Sequence, residues 1–98
     1  MSYIKCIVQY QGREFKIKCC SNTSVAGLQV KLRRYIKLQD HEACFLFFTD
    51  LGYFNKTRLY PGSKLLCDIA RENYGGGDIL HVNLCRENTF GNNIDADG

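Results

Sequence analysis

The sequence has no apolar run long enough to cross a membrane. The longest, at residues 43–48, has six residues, whereas a membrane-spanning helix needs about 20. Residues 1–5 also lack the apolar segment of a secretory signal peptide. We therefore expect a cytoplasmic protein, in which the six cysteines remain reduced thiols and do not form disulfides.

The sequence also lacks a strong charge of one sign. Its net charge is only +3, and no block of like charge is longer than the pair of Arg33 and Arg34. Domains that bind nucleic acid normally carry a clustered basic surface. This balance of charge argues against nucleic acid as a partner.

The spacing of the reactive residues indicates neither a metal site nor a catalytic site. No two cysteines have the C-x-x-C spacing of a zinc site, and a buried cysteine usually behaves as a small hydrophobic residue. The two histidines, His41 and His81, belong to no recognisable Ser/His/Asp or Cys/His arrangement. We expect a protein that is not an enzyme and that needs no metal or other cofactor.

The first 20 residues predict a β-hairpin. Residues 3–8 are rich in Ile, Val, Tyr and Cys, and residues 11–13 form a turn signal. Residues 14–20 then alternate, with Phe15, Ile17 and Cys19 on one face and Lys16 and Lys18 on the other. That alternation is typical of a strand with one solvated face.

A helix is predicted next, over residues 25–37. The cluster at residues 21–24 consists of Ser, Asn, Thr and Ser, whose side-chain oxygens accept hydrogen bonds from the free N–H groups of a helix N-terminus. Apolar residues then recur at helical spacing; they are Val25, Leu28, Leu32, Tyr35 and Ile36.

The second half of the sequence predicts two more strands and a shorter helix. Residues 43–49 form a continuous apolar segment, which favours a central strand covered on both faces. A loop follows at residues 50–61, and then a short helix that Ser63 can cap. After the glycine-rich break at residues 74–78, residues 79–84 alternate as a last strand, with Leu80, Val82 and Leu84 on one face.

The predicted element order, β-β-α-β-α-β, indicates an α+β protein of the ubiquitin-like β-grasp class. In that fold, a mixed four-stranded sheet packs on one long helix and a shorter helix, and the first and last strands are parallel neighbours in the sheet centre. We assign residues 1–91 to this domain. Residues 92–98 contain one large apolar side chain and are expected to be a flexible tail.

Three motifs in the last third of the chain resemble the autophagy-related protein 8 family of ubiquitin-like modifiers, which includes GABARAP and the light-chain-3 proteins. They are Leu-Leu-Cys-Asp-Ile at 65–69, Gly-Asp-Ile-Leu-His-Val at 77–82 and Glu-Asn-Thr-Phe-Gly at 87–91. The block at residues 32–38 and the strand at 43–48 also resemble the basic helix end and next strand of that family. The similarity covers roughly residues 24–91. The pair of helices that precedes the family's first strand is missing, and the loop at residues 50–60 is longer.

The resemblance implies a conjugation pathway through Gly91. A processing cysteine protease would remove residues 92–98, and activating and conjugating enzymes would then transfer the Gly91 carboxyl to the amine of phosphatidylethanolamine. Glycine has no Cβ, so it enters a narrow catalytic cleft, and Phe90 would fill an adjacent apolar subsite. The implied location is cytoplasmic, with a lipid-anchored pool on autophagosomal or other organelle membranes.

The resemblance also implies a site for short linear motifs. A peptide would add a strand to the open edge of the second strand and insert an aromatic and an aliphatic anchor into two pockets. The aromatic pocket would be formed by Lys16, Lys18 and Ile79, and the aliphatic pocket by Cys19, Cys20, Thr23 and Leu28. Arg33 and Arg34 are candidates for contact with a membrane or an enzyme.

Two other functions remain open at this point. One is a protein-conjugated modifier that resembles autophagy-related protein 12, although that family has Trp before its terminal glycine and this sequence has no Trp. Conjugation would then run through Gly98 without trimming. The other is an unconjugated ubiquitin-like protein-interaction domain, which needs no free glycine.

Overall fold

A computed structural model describes residues 2–39, 41–49, 57–72 and 77–86. It has five strands and two helices in the order β-β-α-β-β-α-β. Their bounds are β1 Tyr3–Tyr10, β2 Arg13–Cys20, α1 Val25–Tyr35, β3 Phe45–Thr49, β4 Thr57–Leu59, α2 Leu66–Glu72 and β5 Ile79–Cys85.

The predicted hairpin is confirmed, with a two-residue turn between β1 and β2. Tyr10 pairs with Arg13, and the two turn residues, Gln11 and Gly12, have φ values of 50° and 77°. Positive φ at both positions is the signature of a type I′ turn, whose twist matches that of the flanking strands. As predicted, Ile17 and Cys19 are buried on one face of β2, and Lys16 and Lys18 are exposed on the other.

We expect Gly12→Ala to destabilise the protein by about 1 kcal/mol, because an alanine Cβ is disfavoured at positive φ. A Cβ at this position would meet nothing within 4 Å, so the loss would come from the backbone alone. Urea denaturation measures it. Gly12→Asn is the matched variant, since Asn tolerates this conformation; equal losses for Ala and Asn would contradict the explanation.

The sheet has five strands in the order β2-β1-β5-β3-β4. As predicted, β1 and β5 are parallel neighbours. The expectation of four strands is wrong by one, because Thr57–Leu59 pairs with Phe47–Thr49 as β4. The centre of the sheet is β5, and β3 lies beside it. On β3, Leu46, Phe47 and Phe48 are all buried, as expected for a strand with both faces covered.

Helix α1 has defined signals at both ends. The Ser24 hydroxyl accepts a hydrogen bond from the Gly27 N–H at 3.1 Å, as the cap cluster predicted. At the other end, Leu38 N–H donates to the Arg33 carbonyl at 2.9 Å and Lys37 N–H donates to the Arg34 carbonyl at 3.3 Å. With Lys37 at φ 59°, this is a Schellman motif, and it ends the helix at Tyr35, two residues earlier than predicted.

The beginnings of α1 and α2 are tied together through their backbones. Val25 N–H donates to the Lys64 carbonyl, and Leu66 N–H donates to the Thr23 carbonyl, both at 2.8 Å. Ser63 was expected to cap α2, but the helix begins three residues later at Leu66, after a turn in which Lys64 N–H donates to the Pro61 carbonyl. Ser63 is therefore not the capping residue.

The hydrophobic core lies between the sheet and the two helices. Helix α1 contributes Leu28 and Leu32, which are both fully buried, and α2 contributes Leu66 and Ile69. The strands contribute their inward residues, including the predicted set Leu80, Val82 and Leu84. In the described part of the chain, no helix has the length and apolar character needed to cross a bilayer.

Candidate functional site

Strand β2 forms one edge of the described sheet, and its outward backbone groups can be identified from the ladder. Ser21 N–H donates to the Ser2 carbonyl at 3.1 Å. Because bonded and non-bonded pairs alternate in an antiparallel ladder, Cys20, Lys18 and Lys16 turn their N–H and C=O groups away from β1. Two contacts agree: the Cys20 carbonyl accepts from Thr23 N–H at 3.0 Å, and the Lys18 carbonyl accepts from Lys31 Nζ at 3.1 Å.

The three residues predicted for an aromatic pocket share the sheet face opposite the helices. On β1, Lys5 pairs with Lys18 of β2 on one side and with Ile79 of β5 on the other. The side chains of Lys18, Lys5 and Ile79 therefore form one row across the three strands. Lys18 Nζ lies 5.4 Å from the centroid of the Tyr3 ring, and Ile79 is 46% exposed. Lys16 lies one row along the same face. We call this surface the open sheet face.

On its other side, the β2 edge lies beside helix α1, which Lys31 joins to the Lys18 carbonyl. Two adjoining depressions follow the helix, of which only the second includes β2 residues; we call the two together the β2–α1 groove. The first, of about 530 Å³, is lined by Thr23, Gly27, Val30, Lys31, Arg34 and Tyr35. The second, of about 440 Å³, is lined by Tyr10, Gln11, Arg13, Phe15, Tyr35 and Ile36. Tyr35 belongs to both, and its ring stacks on that of Phe15 with centroids 4.6 Å apart.

The four residues predicted for an aliphatic pocket lie at different depths. Thr23 lines the first depression. Cys20 pairs with Tyr3 and therefore lies on the open sheet face with Lys18, so its prediction as part of the aliphatic pocket is wrong. Cys19 and Leu28 belong to the core, with 2% and 0% exposure, so they support the groove from below. The groove's exposed surface comes instead from residues such as Val30 and Tyr35.

Sequence reasoning missed the groove residues of α1 for a specific reason. Tyr35 was counted with Val25, Leu28 and Leu32 as an apolar residue at helical spacing, but unlike them it is 60% exposed, and its ring stacks on that of Phe15. Val30 is also exposed. An apolar residue lying off the Leu28 and Leu32 stripe was the available signal in the sequence.

The surroundings of the groove are basic. Between Phe15 and Gln39 the sequence has six Lys or Arg residues and no Asp or Glu. The two arginines proposed as contact residues differ in their surroundings. Arg33 donates to the Gln39 carbonyl at 3.1 Å and so ties the end of the helix, whereas Arg34 lines the first depression and faces solvent.

Two thiols lie beneath the groove. The pKa of Cys19 is lowered to about 7, first by a hydrogen bond from Cys6 and also by the Lys31 ammonium, against the opposing effect of burial. The same hydrogen bond, together with burial, raises the pKa of Cys6. Within the described ranges, no group of three or more His, Cys, Asp or Glu side chains is arranged to hold a metal ion.

The predicted conjugation residues, Phe90 and Gly91, and the predicted tail at residues 92–98 lie outside the described residues. The last described strand, β5, ends at Cys85. Of the motifs that carry the family resemblance, Leu-Leu-Cys-Asp-Ile overlaps α2 and Gly-Asp-Ile-Leu-His-Val leads into β5.

No family model matches the chain, and no curated protein sequence matches it. Among solved structures, it is similar to the ubiquitin-like domain of the Arabidopsis thaliana protein At2g32350, with 13% identity, a TM-score of 0.58, and coverage of 87% of this chain and 78% of that one. A second structure of At2g32350 gives 12% identity and a TM-score of 0.57, covering 85% and 84%. The β-grasp topology and these neighbours together establish that the chain has a ubiquitin-like fold.

Proposed function

We propose that this protein is a ubiquitin-like modifier of the autophagy-related protein 8 type, which docks acidic linear peptides on the β2 edge. The observation that carries the proposal is the combination of an open strand edge with basic side chains on both of its sides. Lys16 and Lys18 lie on the open sheet face, and Lys31 and Arg34 lie in the β2–α1 groove. The protein presents a surface and catalyses no reaction.

Docking by strand addition explains how one peptide reaches both surfaces. Side chains three residues apart in an extended peptide point to opposite faces of the sheet that the peptide joins. One anchor then contacts the open sheet face near Lys18 and Ile79, and the other enters the first depression near Thr23 and Val30. Backbone bonds to β2 supply affinity, and the two anchors supply specificity.

The conjugation half of the proposal rests on the terminal motif. Gly91 is the sixth residue after the end of β5 at Cys85, and its carboxyl, once exposed by trimming, belongs to a residue without a side chain. After removal of residues 92–98, this carboxyl is transferred to phosphatidylethanolamine, whose two acyl chains hold the protein on a membrane far more stably than one chain does. The protein then has a cytoplasmic pool and a pool on autophagosomal membranes.

A reconstituted conjugation assay tests this half. The full chain is incubated with the processing protease, ATP, the activating and conjugating enzymes and vesicles that contain phosphatidylethanolamine. ATP is needed because the activating enzyme adenylates the Gly91 carboxylate before the acyl group passes through thioesters to the lipid amine. The product is weighed by mass spectrometry. The proposal expects loss of residues 92–98 and gain of one lipid. An adduct with a protein lysine through Gly98 supports a modifier of the autophagy-related protein 12 type. An unmodified chain, with enzymes active on a known substrate, supports an unconjugated interaction domain.

Charge reversal on the open sheet face tests the docking half. We expect Lys18→Glu to weaken binding of an acidic extended peptide about tenfold at low salt, because an attractive pair of up to about 1 kcal/mol becomes a repulsive one. The loss shrinks as salt screens the charges. Fluorescence anisotropy with a labelled peptide measures both effects.

Lys37→Glu is the matched control for this experiment. It makes the same change in net charge, but Lys37 follows the end of α1 and lines neither depression of the groove; its own depression shares only Val30 and Arg34 with the groove. Its expected effect is less than twofold. Equal weakening by Lys18→Glu and Lys37→Glu would show that only the overall charge matters, and the docking site would then be wrong.

A further inference from the structure

Lys31 makes a contact that blocks part of the edge on which the proposed function depends. Its side chain extends from α1 to β2, where the ammonium donates to the Lys18 carbonyl at 3.1 Å. That carbonyl points away from β1, as the register of the ladder requires. It is therefore one of the acceptors that an added strand needs.

An incoming strand competes with this ammonium for one acceptor. The carbonyl oxygen has two lone pairs, but an added strand occupies the side of β2 from which Lys31 reaches it; in such an exchange a peptide N–H takes the place of Lys31 Nζ at the Lys18 carbonyl. The displaced ammonium then lies between the peptide and α1, where it is partly removed from water. A cation in such a position is costly unless it is paired with an anion or well hydrogen-bonded.

The surrounding sequence offers the displaced ammonium no carboxylate. Residues 15–39, which contain α1 and all of β2 except Arg13 and Glu14, have no Asp or Glu. The residues that line the first depression with Lys31 also include no Asp or Glu; they are Thr23, Gly27, Val30, Arg34 and Tyr35. The compensating anion must therefore come from the ligand. Charge complementarity thus indicates a carboxylate on the peptide, on its α1 side, near the residue that pairs with Lys18.

We infer that Lys31 is a gate on the β2 edge, which holds the Lys18 carbonyl until a peptide supplies both a backbone N–H for the carbonyl and a carboxylate for the ammonium. This inference deepens the proposed function and rests on it. It makes Lys31 a specificity-determining residue: neutral extended peptides must displace the ammonium without compensation, and acidic ones exchange one partner for another. A lysine over an exposed edge also discourages pairing with a second copy of the chain.

A double-mutant cycle with two peptides tests the gate. Both peptides are extended, with an aromatic and an aliphatic anchor three residues apart, and they differ only in having Glu or Gln at the position that faces Lys31. For the parent protein, we expect the Glu peptide to bind more tightly than the Gln peptide. In Lys31→Met, we expect the Glu peptide to bind about threefold more weakly and the Gln peptide about threefold more tightly, as for a partly exposed charged pair.

The preference for Glu over Gln therefore falls about tenfold, and this ratio is insensitive to a merely structural role of Lys31. Met has nearly the same helix propensity as Lys, so α1 is retained. Lys31→Arg is expected to restore the preference, and Lys37→Met to leave it unchanged. If the Glu peptide binds the parent protein but Lys31→Met keeps the same preference for Glu over Gln, the role proposed for Lys31 is wrong. Peptide docking on the β2 edge would still be supported. If neither peptide binds any variant, the docking function itself is wrong.

Discussion

Gly91→Ala is expected to abolish lipid attachment and to slow trimming of the tail by about 100-fold or more, without changing the stability of the domain. A methyl group on the residue that enters the protease and transfer-enzyme clefts displaces the reacting carbonyl, and a displacement of about 1 Å costs on the order of 100-fold in rate. Mass spectrometry of the product at fixed times measures both steps. Urea denaturation should give the same midpoint for variant and parent, because the buried core of the described residues ends at Leu84.

Gly98→Ala is the matched control, since it makes the same chemical change at the other terminal glycine. It should leave trimming and lipid attachment at the parent rate, because residue 98 leaves with the tail. Conjugation that survives in Gly91→Ala and is lost in Gly98→Ala would reverse the assignment. The untrimmed carboxyl of Gly98 would then be the reactive group.

Leu32→Ala is expected to lower the free energy of unfolding by about 2–5 kcal/mol, the usual cost of truncating a fully buried leucine. Leu32 has 0% exposure and packs in the core between α1 and the sheet. Val30→Ala, two residues earlier on the same helix, is expected to change stability by no more than about 0.5 kcal/mol, because Val30 is 51% exposed. Urea denaturation at one temperature compares the two.

The same pair of variants separates the core from the groove. Val30→Ala removes an apolar side chain from the first depression and should weaken peptide binding while the domain stays folded. Leu32→Ala should bind the peptide normally in the absence of denaturant, where most molecules remain folded. If Val30→Ala proved as destabilising as Leu32→Ala, the orientation of α1 described above would be incorrect.

Local patterns in the sequence predicted most of the elements. The alternation of Phe15, Ile17 and Cys19 with lysines identified a strand and both of its faces, because successive side chains of a strand point in opposite directions. Ser24 was recognisable as part of a cap cluster since its hydroxyl acts on an N–H only three residues away. The parallel pairing of β1 and β5 followed from the element order of a known fold class and not from any local signal.

The elements that were missed depend on partners distant in sequence. Strand β4 has only three residues, too few for a periodicity, and it is a strand because Phe47–Thr49 pairs with it. The central position of β5 followed from the fold class, but β3, which its apolar sequence also favoured as a central strand, lies beside β5 because β1 and β3 occupy the two sides of β5. The end of α1 at Tyr35 depends on the positive φ of Lys37, which lysine rarely adopts.

The residues of the candidate site also fall into two groups, those that the sequence predicted and those that only the tertiary structure identified. The sequence alone determined that Lys16 and Lys18 share a face, because successive side chains of a strand point in opposite directions. Ile79 was grouped with them only through the family resemblance, and the pairing of Lys5 with both Lys18 and Ile79 places them in one row. Only the tertiary structure decided which residues line the groove and that Lys31 reaches the Lys18 carbonyl. These two lysines are 13 residues apart, and their contact exists because the packing of α1 on the sheet brings a helix side chain to a strand edge.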